Sequence, residues 1–358
     1  SYKDDALYVM GTTYTSMNQP NKAIESYDKL IKDLPNSSFV PRALLKKGLI
    51  YYNENQIEEA LKTFKLAVKN YPNTPIAQEA VQNARQIYID TGRVDEYASW
   101  VKDLSFVNVT DAELDHDMYE SAEKQFVTGD NAKAVVSFKK YLQSYPNGLH
   151  ALPAHFYLAQ ALESIQKQSE TIPHYQYVAN QPQSEFTEQA LVKLSQMYLN
   201  ADNWTDATPI LLKLEQVADH SQNVMYAQSN LMKSYYNKGN YAQAVIYADK
   251  VLKSSELDAK VKADAQIIIA RSAFKTQDFD KARSSYKLVE SVASGELKAE
   301  ALFYDAYFKN KDGKFEASNM TVQKLTKDYS GYKYFGAKGL VVMAKNFYGL
   351  KDSFQATY

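Results

Sequence analysis

The 358-residue sequence contains no cysteine, which removes disulfides, thiol nucleophiles and thiolate metal sites and leaves the redox compartment unread. It has no apolar run near the roughly 20 residues that cross a bilayer, and the opening Ser1-Tyr2-Lys3-Asp4-Asp5 lacks the basic and apolar stretches of a secretory leader. It has no excess of charge. With 41 Lys plus Arg against 42 Asp plus Glu, no general basic surface for a phosphate backbone is expected, and nucleic acid is not an expected partner. Glycine is scarce at 12 residues, and no glycine-rich phosphate loop or nucleophile elbow occurs. Tyrosine is abundant, at 29 residues, in an otherwise ordinary globular composition of 45% hydrophobic and 23% charged residues.

The few glycines and prolines that are present recur in phase. Gly11 and Gly48, Ala23 and Ala60, Tyr27 and Phe64, and Pro35 and Pro72 are each 37 residues apart. Pro146 and Ala134 continue two of these series two periods on, and Gly92 with Gly129 and Gly239 with Gly313 keep the step. Small residues extend the series at Ala207, Ala244 and Ala282. Within a unit, Ala43, Leu44, Gly48 and Tyr51 fall at helical spacing, Asn53-Glu54-Asn55-Gln56 interrupts, and Ile57, Ala60, Leu61, Phe64 and Val68 resume. Tyr71-Pro72-Asn73-Thr74 then ends the second helix and offers Thr74 as an N-cap for the next. Small residues beside large ones let helices approach closely, which is a packing rule and not a catalytic one.

On these residues the chain resembles the tetratricopeptide repeat family, whose pattern of small and large residues over two helices with a closing proline falls on Leu7, Gly11, Tyr14, Ala23, Tyr27 and Pro35, and again on Leu44, Gly48, Tyr51, Ala60, Phe64 and Pro72. The third unit departs from it, with Arg85 in place of glycine and Tyr97 in place of alanine, and the unit around residues 305–325 is weak. The resemblance implies an all-α, right-handed α-solenoid of stacked helix hairpins. One array is expected over 1–358: units 4–40, 41–77, 78–114, 115–151, 152–187, 188–224, 225–262, 263–298 and 299–336, with an incomplete tenth at 337–358. The Pro-Asn-Ser/Thr junctions stretch the step to 36–38 residues. This is similar to bacterial envelope tetratricopeptide proteins of the BamD-like and YbgF-like kinds, which implies a periplasmic or outer-membrane-associated setting, with the cytoplasm left open. An array that stops within a helix pair is expected to be part of a longer protein, and any membrane attachment would lie before Ser1.

The resemblance also implies that a protein or peptide binds the concave face of the first helices. In register, that face carries Tyr52, Tyr119, Phe126, Phe156, Tyr157, Lys193, Tyr226, Asn230, Lys233, Tyr236, Arg271, Phe274, Tyr304 and Tyr307. Tyr8 and Thr12 stand where the chaperone-type carboxylate clamp has Lys and Asn, so that mode of recognition is not expected. The reading is a non-catalytic scaffold for protein–protein interaction, with the targeting or regulatory arm of an enzyme or sensor as the alternative.

No cofactor, metal site or catalytic group is expected. His116, His150, His155, His174 and His220 form no His-Glu-x-x-His motif and read as surface or junction residues. Residues 111–123 hold six acids and no Lys or Arg, yet the EF-hand pattern fails at His116 and Ala122, and Thr110 with Glu113 reads as a capping box. Residues 309–345 hold eight lysines against three acids. Solvated helix faces are the first reading of both stretches, and a charge asymmetry that orients a partner or favours an anionic surface is the second.

Overall fold

The computed structural model describes residues 2–254 and 257–357; Ser1, ahead of the first expected unit, Ser255 and Glu256, in the seventh, and Tyr358, in the tenth, lie outside the described residues. Helices account for all the regular structure there, with no strand among the described residues. Two compact units are present, Ser1–Gln181 and Pro182–Tyr358.

In unit 1, consecutive helices pack as antiparallel hairpins: α1 (Tyr2–Ser16) with α2 (Pro20–Asp33), α3 (Val40–Asn53) with α4 (Ile57–Asn70), α5 (Pro75–Asp90) with α6 (Val94–Val101), α7 (Asp111–Val127) with α8 (Asn131–Ser144), and α9 (Ala151–Ser164) with α10 (Gln168–Asn180). Each hairpin stacks on the next, first helix against first helix, which is solenoid packing. Unit 2 repeats this with α11 (Thr187–Asn200) and α12 (Trp204–Val217), α13 (Ser221–Asn237) and α14 (Tyr241–Leu252), α15 (Ala259–Lys275) and α16 (Phe279–Val292), α17 (Gly295–Lys311) and α18 (Phe315–Asp328), and α19 (Lys333–Gly349) and α20 (Ser353–Thr357).

The turn inside every hairpin contains one residue with left-handed backbone: Asn18, Asn55, Gly92, Gly129, Gln166, Asp202, Gly239, Gln277, Gly313 and Lys351, with φ between 52° and 83°. Glycine meets this demand without strain, and Asn and Asp tolerate it better than Gln or Lys. In four hairpins the following residue caps the second helix, the side chains of Asp130, Asn203, Asn240 and Asp278 accepting from the backbone N–H three residues on. Thr74 caps α5, and Thr110 with Glu113 forms the expected capping box on α7.

Counting from these turns puts the small and large positions in one frame. Seven residues before them stand Gly11, Gly48, Arg85, Ala122, Ala159, Ser195, Met232, Ala270, Ala306 and Ala344. A Cβ on Gly48 would lie 2.6 Å from the Phe64 ring, and one on Gly11 would enter the Tyr27 ring, so both large residues occupy space that a side chain would need. Nine residues after the turns, Tyr27, Phe64, Phe138, Tyr175, Leu211, Ala248, Tyr286 and Val322 are all buried. In the seventh hairpin small and large have changed places, Met232 against Ala248, both fully buried.

The two irregular hairpins use polar chemistry instead. Arg85, at the glycine position, makes a bidentate ion pair with the buried Asp117, at 2.7 Å for each bond, tying α5 to α7. On the hairpin of α17 and α18, Ser318 donates to the Ala306 carbonyl, and the buried Asn346 amide of α19 donates to Asn319 at 2.8 Å and accepts from Asn310 at 2.6 Å. A fully satisfied buried polar network specifies register where interlocking apolar volume is absent.

Candidate functional site

The acidic stretch of α7 is largely structural. Asp117 is spent on Arg85, Glu113 on the capping box, and the buried Asp115 accepts from the Tyr141 hydroxyl at 2.6 Å and the Leu149 N–H at 2.8 Å. Gly148 leaves the room for this, since a Cβ there would stand 2.7 Å from the Asp115 carboxylate. Glu123 accepts from Tyr119 at 2.7 Å, and Glu120 faces His116 at 3.8 Å.

The expected site residues of unit 1 mostly satisfy one another. Tyr52 is half-buried and donates to Asp90, which also receives Lys124 at 2.5 Å and Gln86 at 2.9 Å, linking α3, α5 and α7. Burial alone would raise the Asp90 pKa; hydrogen bonds from Lys124, Tyr52 and Gln86 outweigh it and hold the carboxyl below its usual range. Tyr119 is buried against His150, with centroids 4.4 Å apart, and Phe156 is buried against Tyr175. Phe126 and Tyr157 are half-buried in mutual contact at 5.2 Å. Tyr119 and Phe156 thus present little surface to a ligand.

Unit 2 is more open. Lys193, Tyr226 and Asn230 are half-buried, with the Asn230 amide donating back to the Tyr226 carbonyl at 2.9 Å. Beyond them, successive first helices line two adjoining cavities. The first, of about 290 Å³, is bordered by Lys233, Asp264 and Ile268 and by Trp204 at the start of α12. The second, of about 200 Å³, is bordered by Phe274, Lys275, Tyr304, Tyr334, Phe335 and Lys338. Tyr236 and Arg271 border both, so α13, α15, α17 and α19 form one track. Tyr307, half-buried, flanks Phe274 and Tyr304 at 5.7 and 6.3 Å.

Arg271 forms the counterpart of the Arg85 pair, donating to the buried Glu300 at 2.8 and 2.5 Å. These hydrogen bonds push the guanidinium pKa further up, so the cation is permanent. Lys233 pairs with Asp264 at 2.8 Å. Sequence reasoning placed Lys233, Tyr236, Arg271, Phe274 and Tyr304 on this face and missed Trp204, Lys275, Tyr334, Phe335 and Lys338. The i, i+4 spacing of Tyr334 and Lys338 was the available signal, hidden because the last hairpin has no closing proline to fix its register.

A wider groove, of about 900 Å³, lies over α16, α17 and α18, but its charges are mostly consumed locally: Arg283 on Asp312, Lys309 on Asp305 and Lys324 towards Glu290. The histidines pair in a way spacing did not reveal. His116 meets His150 at 3.2 Å, and His155 meets His174 at 2.8 Å while stacking on Tyr177. Burial first, and the His174 ring second, push the His155 pKa down to about 4. His220 faces Glu188 at 3.0 Å. Among the described residues no group of three or more His, Cys, Asp or Glu side chains could hold a metal ion, and no helix is long and apolar enough to cross a membrane.

Two tetratricopeptide repeat family models match, one over residues 5–37 and 42–74 and the other over 230–296. The chain carries tetratricopeptide repeats in these segments, and no catalytic family, and neither a BamD-like nor a YbgF-like one, is among the matches. No curated protein matches the chain. Among solved structures it is similar to a tetratricopeptide repeat protein from Parabacteroides merdae, at 14% identity over 83% of this chain and 97% of that one with a TM-score of 0.25. It is also similar to the Naa15/Naa10 complex bound to HypK-THB, at 13% identity over 98% of this chain and 57% of that one with a TM-score of 0.39. Yeast Tom70 is a third, at 12% identity over 99% of this chain and 90% of that one with a TM-score of 0.33.

Proposed function

We propose that the chain is a non-catalytic tetratricopeptide scaffold that captures an extended segment of a partner protein on the first-helix face of unit 2. The observation that supports this is the track of two adjoining cavities on α13, α15, α17 and α19, where half-buried aromatic rings alternate with charged groups. Rings give a ligand large contact area at little entropic cost, and fixed ion pairs give it orientation. Nothing in the track resembles a nucleophile with an adjacent base, so binding and not turnover is its use. The near-neutral charge favours a protein partner over nucleic acid. The long Pro-Asn-Ser/Thr junctions support a bacterial cell-envelope setting, periplasmic or at the outer membrane, which fractionation of the native cell tests.

The binding reading is tested by crosslinking and mass spectrometry from the native cell with Tyr236→Ala/Phe274→Ala/Tyr304→Ala. Recovery of a specific partner should fall at least tenfold while helicity is retained; unaltered recovery would remove this face from the function.

A further inference from the structure

The carboxylates of the unit 2 track are already engaged. Asp264 is held by Lys233, and Glu300 by both bonds from Arg271 and by the Tyr286 hydroxyl at 3.2 Å. Two bordering cations form no ion pair among the described residues. Lys275 is exposed at the end of α15, in no ion pair among the described residues. Lys338, half-buried on α19, has its ammonium over the rings of Phe303 at 4.4 Å, Tyr334 at 5.1 Å and Tyr304 at 5.8 Å. Ring faces attract an ammonium but give its three N–H donors no strong acceptor, so those donors are left to water or to an incoming anion. Apolar rings around a charge also strengthen its attraction for a counter-ion relative to bulk water.

We infer that this face selects an acidic partner segment, which seats an aromatic or aliphatic side chain against Phe274, Tyr304 and Tyr334 and sets carboxylates on Lys275 and Lys338. The inference rests on the docking role proposed above and names the chemistry of what docks. The charge of α19 agrees with it: the helix carries Lys333, Lys338 and Lys345 and no Asp or Glu, a local field that draws an anion in and repels a basic segment. In unit 1 the first-helix lysine Lys124 cannot do the same because Asp90 already holds it.

The test is fluorescence anisotropy on the full chain with three labelled probes: an octapeptide Asp-Glu-Phe-Asp-Glu-Leu-Asp-Glu, the same peptide with every acid replaced by its amide, and the same with every acid replaced by lysine. The acidic probe should bind, the amide probe at least tenfold more weakly and the lysine probe more weakly still, with the acidic preference shrinking as salt rises. Lys275→Glu/Lys338→Glu should reverse the order of the acidic and lysine probes, and Lys275→Gln/Lys338→Gln, a milder change, should level them. Equal binding of acidic and amide probes, lost in Phe274→Ala/Tyr304→Ala, would overturn the acidic selectivity and leave the docking face standing. Acidic-probe binding that survives both the lysine and the aromatic substitutions would overturn both. Absence of binding by all three probes would overturn the inference, while partner recovery from the cell judges the docking face separately.

Discussion

The two units are built by the same hairpin rules yet present their first helices differently. Unit 1 has 18 Lys plus Arg against 22 Asp plus Glu, and its face is closed by its own contacts, Tyr52 and Lys124 on Asp90. Unit 2 has 23 against 20, and leaves rings and two lysines facing a track. Each contains an Arg bridge to a buried carboxylate between successive first helices, Arg85 to Asp117 and Arg271 to Glu300. Such a bridge offsets its desolvation only when its geometry is complete, so it holds a stacking register more than it adds stability. The bridges are therefore common ground, and what differs is whether the polar groups beside them are spent on the chain or left for a ligand.

The largest expected effect comes from breaking those bridges. Asp117→Ala leaves the Arg85 guanidinium without its partner and should cost unit 1 about 3 to 5 kcal/mol, read from urea denaturation. Arg85→Gly, although it restores the residue type of Gly11 and Gly48, should be as damaging, because Asp117 would then be a buried, unpaired carboxylate. The double variant should recover part of the loss. Glu300→Ala should cost unit 2 a similar amount, and by leaving the Arg271 cation unpaired within the track it should strengthen capture of an acidic probe by the folded protein; an Asp117→Ala loss without any coupling to Arg85→Gly would show that the bridge is incidental.

Next in size is the exchanged pair of the seventh hairpin. Ala248→Phe alone should overpack against Met232 and cost about 1 to 3 kcal/mol, and Met232→Ala alone should leave a cavity of comparable or larger cost. Together they restore the order found in unit 1 and should couple favourably by about 1 kcal/mol or more. Additive losses would mean that the two positions do not face each other.

What the sequence made legible follows this distinction. Hairpins held by small-against-large packing, such as Gly48 with Phe64 and Ala122 with Phe138, repeat in recognisable residue types, so fold class and period could be read directly. Positions held by backbone conformation were half visible. Gly92 and Gly129 advertise a left-handed turn, whereas Gln166, Gln277 and Lys351 adopt one without any residue-type signal. Positions held by polar partners were not legible, because Arg85, Asp117, Asn319 and Asn346 acquire meaning only when helices from different hairpins bring them together. The same reason hid half of the candidate site: Phe274 and Tyr304 follow the register, but Lys338 matters through the rings it covers.

Acidity should separate the units with opposite signs. His155 in unit 1 has a folded pKa of about 4, below its ordinary value of about 6.5, so the folded state resists protonation. Its stability contribution is complete above pH 6.5 and is lost as pH falls towards 4, by about 1 to 3 kcal/mol. Hydrogen exchange in α9 and α10 should accelerate over that window, and His155→Gln should flatten the response. His220 in unit 2 has its pKa raised by the hydrogen bond to Glu188 first and by that charge second, so it stabilises below the unfolded value and its contribution disappears as pH rises through the folded one. Parallel pH profiles for the two units would contradict this assignment.

The smallest effect tests whether the turns of the two units are interchangeable. Gln166 and Gln277 occupy the left-handed position at φ 62° and 64°, where a side chain costs about 1 to 2 kcal/mol in local sterics. Replacing either by Gly relieves that strain but returns freedom to the unfolded chain, so each variant should gain about 0.5 kcal/mol, with Gly239→Ala losing about 1 kcal/mol as the converse. Thermal or urea midpoints on single variants are sensitive enough to detect the sign. If Gln277→Gly destabilises while Gln166→Gly stabilises, the Gln277 side chain is contributing a contact to the α15–α16 turn beyond backbone conformation, and the period of the turns would have to be understood as side-chain chemistry in unit 2 and as backbone geometry in unit 1.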